Sequence, residues 1–314
     1  VLNFNILKPK DEATQNRIIS VDINPSDTIR IEEKGRDTLE LKNEDGQWVV
    51  SQMMNFPASS KTVDEFLKKF RELESNWPVA TSKDAAKRFN VTDEDYEKKV
   101  SFISKGKSLV DIYFGTSSSL RSKHIRCSNS DKIYSIEFES YELSTKPQDW
   151  IDKTAYTLPT DKIQKVVTPQ FTINSEKEKW VVEGLSPEEE TNQSTATHAV
   201  STLSGIVFKE VEGDKADPEY GLETPVIEYT IFVKGTDKNK NGQEIKYAIG
   251  KRTVNDGYIL KTSDKKFYVS IDEYITKGIQ ELNRPALIAK KTTLQPALSG
   301  EKKETVETKS GDSK

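Results

Sequence analysis

Apolar residues in this chain fall into short alternating runs, interrupted by stretches with a helical stripe. Ile29–Glu32, Thr38–Lys42 and Gln47–Val50 alternate apolar and polar positions, the period-2 signature of half-buried strands. The turn Asn43-Glu44-Asp45-Gly46 leads into Trp48, and its Asp-Gly pair is a hairpin signal. Val63, Phe66, Leu67, Phe70 and Leu73 then share one face of a predicted helix, with Ser59 or Ser60 as N-cap. Four further strands are expected at Lys99–Ile103, Leu109–Phe114, His124–Cys127 and Ile133–Ile136, and a short helix near Glu139–Leu143 closes the series. The turns between them are short, which favours antiparallel pairing.

The same series then recurs. Trp180-Val181-Val182 answers to Trp48-Val49-Val50, Tyr220-Gly221-Leu222 to Phe89-Asn90-Val91, Gly250 to Gly115, and Lys266–Ser270 to Lys132–Ile136. The offset stays at roughly 130–135 residues, the size of one domain. A second helix should carry Ala199, Val200, Leu203, Ile206 and Val207 on one face, capped by Ser194 or Thr195. Strands are expected at Ile227–Val233, Glu244–Ile249, Tyr258–Thr262 and Lys266–Ser270, with a closing helix near Asp272–Gly278. The predicted fold is α+β: two tandem similar units, each an antiparallel sheet with a helix packed on one face. Residues 1–17 read as a linker, 18–158 as the first unit, 159–290 as the second and 291–314 as a disordered charged tail. Pro159-Thr160-Asp161 marks the boundary between the units.

Composition narrows the function classes. The 47 basic and 51 acidic residues are mixed along the chain, and the aromatic residues lie within apolar runs. This speaks against a nucleic-acid surface, which would show a basic excess or aromatics set among Lys and Arg. The single cysteine, Cys127, excludes an intrachain disulfide and a cysteine-based metal site, and its place in a strand reads as a small core residue. No apolar run approaches the roughly 20 residues needed to span a bilayer.

Candidate chemistry is sparse. The two histidines, His124 and His198, occupy non-equivalent positions, and no Gly-x-Ser-x-Gly element accompanies them. Cys127 lies three residues from His124 on the same predicted strand, so the two side chains should point to opposite faces. Asp237-Lys238-Asn239-Lys240-Asn241-Gly242 matches the opening of a calcium loop, but the twelfth position is Ala248 where a bidentate Glu is required. A polar hairpin loop is the expected reading. Glu188-Glu189-Glu190 and Asp93-Glu94-Asp95 sit in polar connections and read as solvated loops; a carboxylate-only hydrolase would need two such acids to converge in a cleft. No catalytic, metal or cofactor residue is therefore assigned. Trp48 and Trp180 are expected in the core, whereas Trp77 and Trp150, outside the regular runs, are candidates for contact with a partner.

These landmarks resemble a bacterial domain family of unknown function, often encoded beside gliding-motility-type ABC transporter components. The resemblance rests on Trp48, Pro57-Ala58, Phe89-Asn90-Val91, Gly115 and Tyr134 in the first copy. In the second it rests on Trp180, Asp217, Tyr220-Gly221-Leu222, Pro225, Gly250 and Tyr268. The Tyr-Gly-Leu signature is replaced in the first copy by Phe89-Asn90-Val91, where Asn can take the left-handed conformation that Gly would occupy. The resemblance implies an extracytoplasmic protein of the periplasm or cell surface, tethered by a membrane segment ahead of residue 1 and working with membrane protein or transporter components. The expected function is that of a non-enzymatic scaffold or auxiliary subunit acting by protein–protein contact. The alternative is a binding protein for a small ligand, lipid or glycan in the crevice between the units.

Overall fold

A computed structural model describes residues 17–291, apart from 120, 236–241 and 255. Most of residues 1–17, the charged tail from 292 onward and Asp237–Asn241 of the calcium-loop-like segment lie outside the described residues.

The first strands are β1 (Thr28–Glu33), β2 (Leu39–Glu44), β3 (Gln47–Val50) and the two-residue β4 (Phe56–Pro57). Helix α1 (Ser60–Arg71) follows, then the short α2 (Lys83–Arg88). A second meander comprises β5 (Lys98–Ser104), β6 (Lys107–Ser119), β7 (Ser122–Cys127) and β8 (Ile133–Glu137). Together they form one antiparallel sheet in the order β4-β3-β2-β1-β5-β6-β7-β8. Its only pairing between strands distant in sequence is β1 with β5, where Ile31 faces Val100 and Ile29 faces Phe102.

The second sheet begins with β9 (Ile163–Val167), β10 (Thr172–Glu176) and β11 (Lys179–Val182). After β12 (Glu189–Thr191) come α3 (Gln193–Ser204) and β13 (Glu210–Gly213). The chain continues through β14 (Ile227–Val233), β15 (Gln243–Lys251), β16 (Tyr258–Thr262), β17 (Tyr268–Ile271), α4 (Glu273–Gln280) and β18 (Ile288–Lys290). The order is β11-β10-β9-β14-β15-β16-β17-β13, with β12 and β18 pairing separately. Read from β3 and from β11, the two orders run in parallel for seven strands. The architecture is α+β, built mostly of antiparallel sheet with a few helices.

Helix α1 forms where expected. Ser59 caps it by accepting from the Thr62 amide, and Val63, Phe66, Leu67 and Phe70 are buried. Phe70 meets Phe102 edge-on at 5.2 Å and Phe114 at 6.2 Å, fixing the helix across the first sheet. Burying each such side chain contributes about 1.5–3 kcal/mol. In α3 the cap is Asn192, whose side chain accepts from the Thr195 amide, and not Ser194 or Thr195. That helix stops at Ser204, so Val207 falls beyond it and is exposed, while Ala199, Val200 and Leu203 are fully buried. The Tyr229 hydroxyl donates to the Leu203 carbonyl at 2.8 Å, linking the second sheet to α3. The strand expected over Lys266–Ser270 starts at Tyr268 and runs to Ile271, and Phe267 turns into the core ahead of it.

Two close crossings share one geometry. Asn90 (φ 53°) and Gly221 (φ 66°) are both left-handed. Each precedes a strand meander and lies against a glycine of the following hairpin, Asn90 against Gly115 and Gly221 against Gly250. One continuous core runs through both sheets, and a small separate cluster of Ala85, Ala86, Val91, Tyr113 and Ile133 lies under α2. Where they meet, Phe56 packs against Phe208 at 5.4 Å and Phe267 at 4.8 Å, and the Tyr156 hydroxyl donates to the Phe267 carbonyl at 3.0 Å.

Candidate functional site

The two tryptophans singled out as contact candidates part company. Trp77 is 82% exposed in the connection between α1 and α2. That connection is held against the β8 edge: the Val79 amide donates to the Ile133 carbonyl, and the Ile133 amide donates to the Ala80 carbonyl, both at 2.8 Å. Val79, beside it, is also exposed. Arg17 forms an isolated antiparallel β-bridge with Glu74 on the same connection. Trp150, by contrast, is only 3% exposed and is withdrawn as a contact candidate. Phe66 of α1 meets its ring edge-on at 5.1 Å, and its indole N–H donates to the Ser144 carbonyl at 2.9 Å. A large ring with a satisfied polar handle belongs in the core.

The groups that carry nucleophilic chemistry elsewhere have structural work here. His124 stacks on Phe89 with ring centroids 4.0 Å apart. Its Nδ1 lies 2.9 Å from the Thr116 carbonyl oxygen, a contact that places the proton on Nδ1. Cys127 is buried on the opposite side of its strand, in the main core. Burial pushes its thiol from the ordinary 9.0 up to about 12. Native Cys127 should therefore resist iodoacetamide at neutral pH and react once the chain is unfolded; labelling at equal rates in both states would contradict this burial. Because the folded thiol resists ionisation, its contribution to stability is intact below pH 9.0 and falls as pH climbs towards about 12. His198 is exposed on α3. Asp93 is engaged by the Arg126 guanidinium and Asp95 by Lys34, and Glu189 and Glu190 sit in β12. Among the described residues, no three His, Cys, Asp or Glu side chains converge to hold a metal ion.

Sequence reasoning missed a sizeable concavity. A cleft of about 660 Å³ opens at the end of the first sheet, between the turn after β1, the start of β5 and the single-turn 3-10 helix Ser140–Leu143. Tyr96, Phe114, Phe138 and Tyr141 are among its lining residues, the Phe114 and Phe138 rings being buried and Tyr141 exposed, with charged residues between them. A second cleft of about 570 Å³ lies on the other side of Tyr141, against Phe66 and Trp150. The matching position in the second sheet, between the turn after β9, the start of β14 and α4, holds a hollow of only about 170 Å³. Its lining is largely apolar, including Phe171, Leu203 and Ile279. The α4 helix closes that end more fully than the one-turn helix closes the first. No described cavity is lined from both sheets.

Two antiparallel sheets with a few helices make this an α+β protein. Residues 48–225, more than half the chain, match the model of a domain of unknown function (DUF4340), and the protein belongs to that family. No curated protein and no solved structure matches it. Among the described residues, no helix is long and apolar enough to cross a membrane.

Proposed function

We propose that this protein is a non-enzymatic scaffold or auxiliary subunit of a membrane-associated, ABC transporter-like assembly, working outside the cytoplasm. Residues 18–158 and 159–290 are two tandem copies of one unit, a reading supported by the shared strand order and the paired crossings at Asn90–Gly115 and Gly221–Gly250. The observation that carries the contact role is Trp77, an 82% exposed indole on a segment pinned to the β8 edge. An exposed tryptophan with an apolar neighbour, on a backbone held in place two residues on, is the kind of anchor that dominates protein interfaces. The aromatic contact of Phe56 with Phe208 and Phe267 weighs against a ligand crevice between the units.

The test is crosslinking of the full chain in its native membranes, followed by mass spectrometry. Transporter components in fixed ratio are expected, and Trp77→Ala should lower their recovery by about tenfold or more without changing thermal stability. Equal recovery with Trp77→Ala would move the contact elsewhere. Absence of any specific membrane partner would remove the scaffold reading.

A further inference from the structure

The end cleft of the first sheet asks for a ligand of its own, independent of the transporter reading. It faces neither the Trp77 surface nor the junction of the sheets; its walls are the turn after β1, the start of β5 and the Ser140–Leu143 turn. Five basic and five acidic residues line it, and most are already matched. Lys34 pairs with Asp95 at 2.9 Å, Lys98 with Glu33 at 3.3 Å and Lys123 with Glu97 at 2.7 Å. A lining of balanced sign exerts little long-range pull on a charged molecule. A charged ligand would also have to displace one member of an ion pair. A hydroxyl avoids both problems, since it donates to the carboxylate and accepts from the ammonium of the same pair.

Aromatic geometry completes the argument. Tyr141 is 76% exposed and stands as a ridge between the two clefts, which share Phe138, Tyr141, Ser144 and Asp149. The two hollows together form a trough that a ligand crosses by passing over the phenol ring. The flat C–H face of a pyranose is apolar and fits an aromatic face, while its rim of hydroxyls meets the paired charges. A peptide strand is less well served, because these walls are side chains and loop ends, with no open strand edge to extend. We propose that the trough astride Tyr141 binds a neutral oligosaccharide of at least two rings, one on each side of the tyrosine. The corresponding hollow of the second sheet, smaller and apolar, does not share this role.

Calorimetric titration of the full chain with cellotetraose, maltotetraose and N-acetylated chitotetraose tests this, with an alternating Lys-Glu peptide as the charged probe. At least one sugar should bind, Tyr141→Ala should weaken it by about tenfold, and Tyr141→Phe should retain it. Trp77→Ala should bind as the parent does. Affinity should stay constant between ~50 and ~500 mM salt, because no net charge is exchanged. Failure of all three sugars to bind, or equal affinity with Tyr141→Ala, overturns the proposal. So does preferential, salt-sensitive binding of the peptide, which would make the trough a polypeptide site. Because Trp77 lies elsewhere, partner recovery in the crosslinking experiment reports on the scaffold role separately.

Discussion

Gly250→Ala should destabilise the protein by about 3 kcal/mol or more, enough to disrupt the second sheet. A Cβ at this position would fall 2.7 Å from the Gly221 carbonyl carbon and 2.8 Å from its oxygen, with the Tyr220 carbonyl closer still. All three are backbone atoms of a crossing segment, so no side-chain rotation relieves the overlap. Gly115→Ala meets the same obstacle at Asn90, whose carbonyl oxygen and carbon would lie 2.5 and 2.8 Å away. Gly278→Ala provides the control. That glycine lies inside α4, where the added methyl would meet only the Thr202 Cγ2 at 3.9 Å, and alanine should raise stability by up to about 1 kcal/mol. Urea midpoints at unchanged slope measure all three variants. A Gly250→Ala protein within about 1 kcal/mol of the parent would mean that the crossing gives way easily.

Phe56→Ala is expected to cost about 3–5 kcal/mol. The ring is 1% exposed and fills the space between Phe208 and Phe267, so truncation opens a cavity where the two sheets share their core. Its effect should extend beyond stability. With Phe56 in place, the continuous core predicts one calorimetric transition. Without it, the two sheets should melt in separable steps. A single transition shifted only slightly would show that other contacts, such as that of Tyr156 with the Phe267 carbonyl, suffice to couple them.

Much of this architecture was legible because its signals are local. The Asp45-Gly46 turn, the Ser59 cap and the apolar face of α1 each occupy a few neighbouring residues, and each appears where its chemistry requires. Strands β3, β14 and β16 match their expected limits. Errors arose where the deciding partner is distant or where several residues compete. Asn192 took the α3 cap from Ser194 and Thr195, all three being suitable types, because its side chain is the one aligned with the third helical amide. Helix α2 went unseen, since Ala85 and Ala86 alone make too short an apolar face to show a period. Trp150 resembled a surface residue because the ring that buries it, Phe66, lies far away in the chain. The trough was invisible for the same reason. Its lining comes from segments between Glu33 and Trp150, and each charged residue on its own looks like part of a solvated loop.

The strand order also sets a timetable for folding. Within the first sheet every adjacent pair is a hairpin neighbour except β1 with β5, and the second sheet has the like exception of β9 with β14 and one more, β13 with β17. Hairpins close in about 1–10 μs, whereas a pairing across a long intervening segment must first meet the entropy of closing that loop. The first sheet can therefore assemble as two quickly formed meanders that wait for one slow seam to join, and the second sheet must also seat β13 on β17. The helix connecting the two meanders lies within that loop, so forming α1 or α3 early shortens the search. The rate of refolding should be governed at those long-range seams. The Glu33–Lys98 end of β1–β5 borders the end cleft, whereas the Trp77 connection contributes no strand to any seam and is free to change without slowing the chain's passage to its native state.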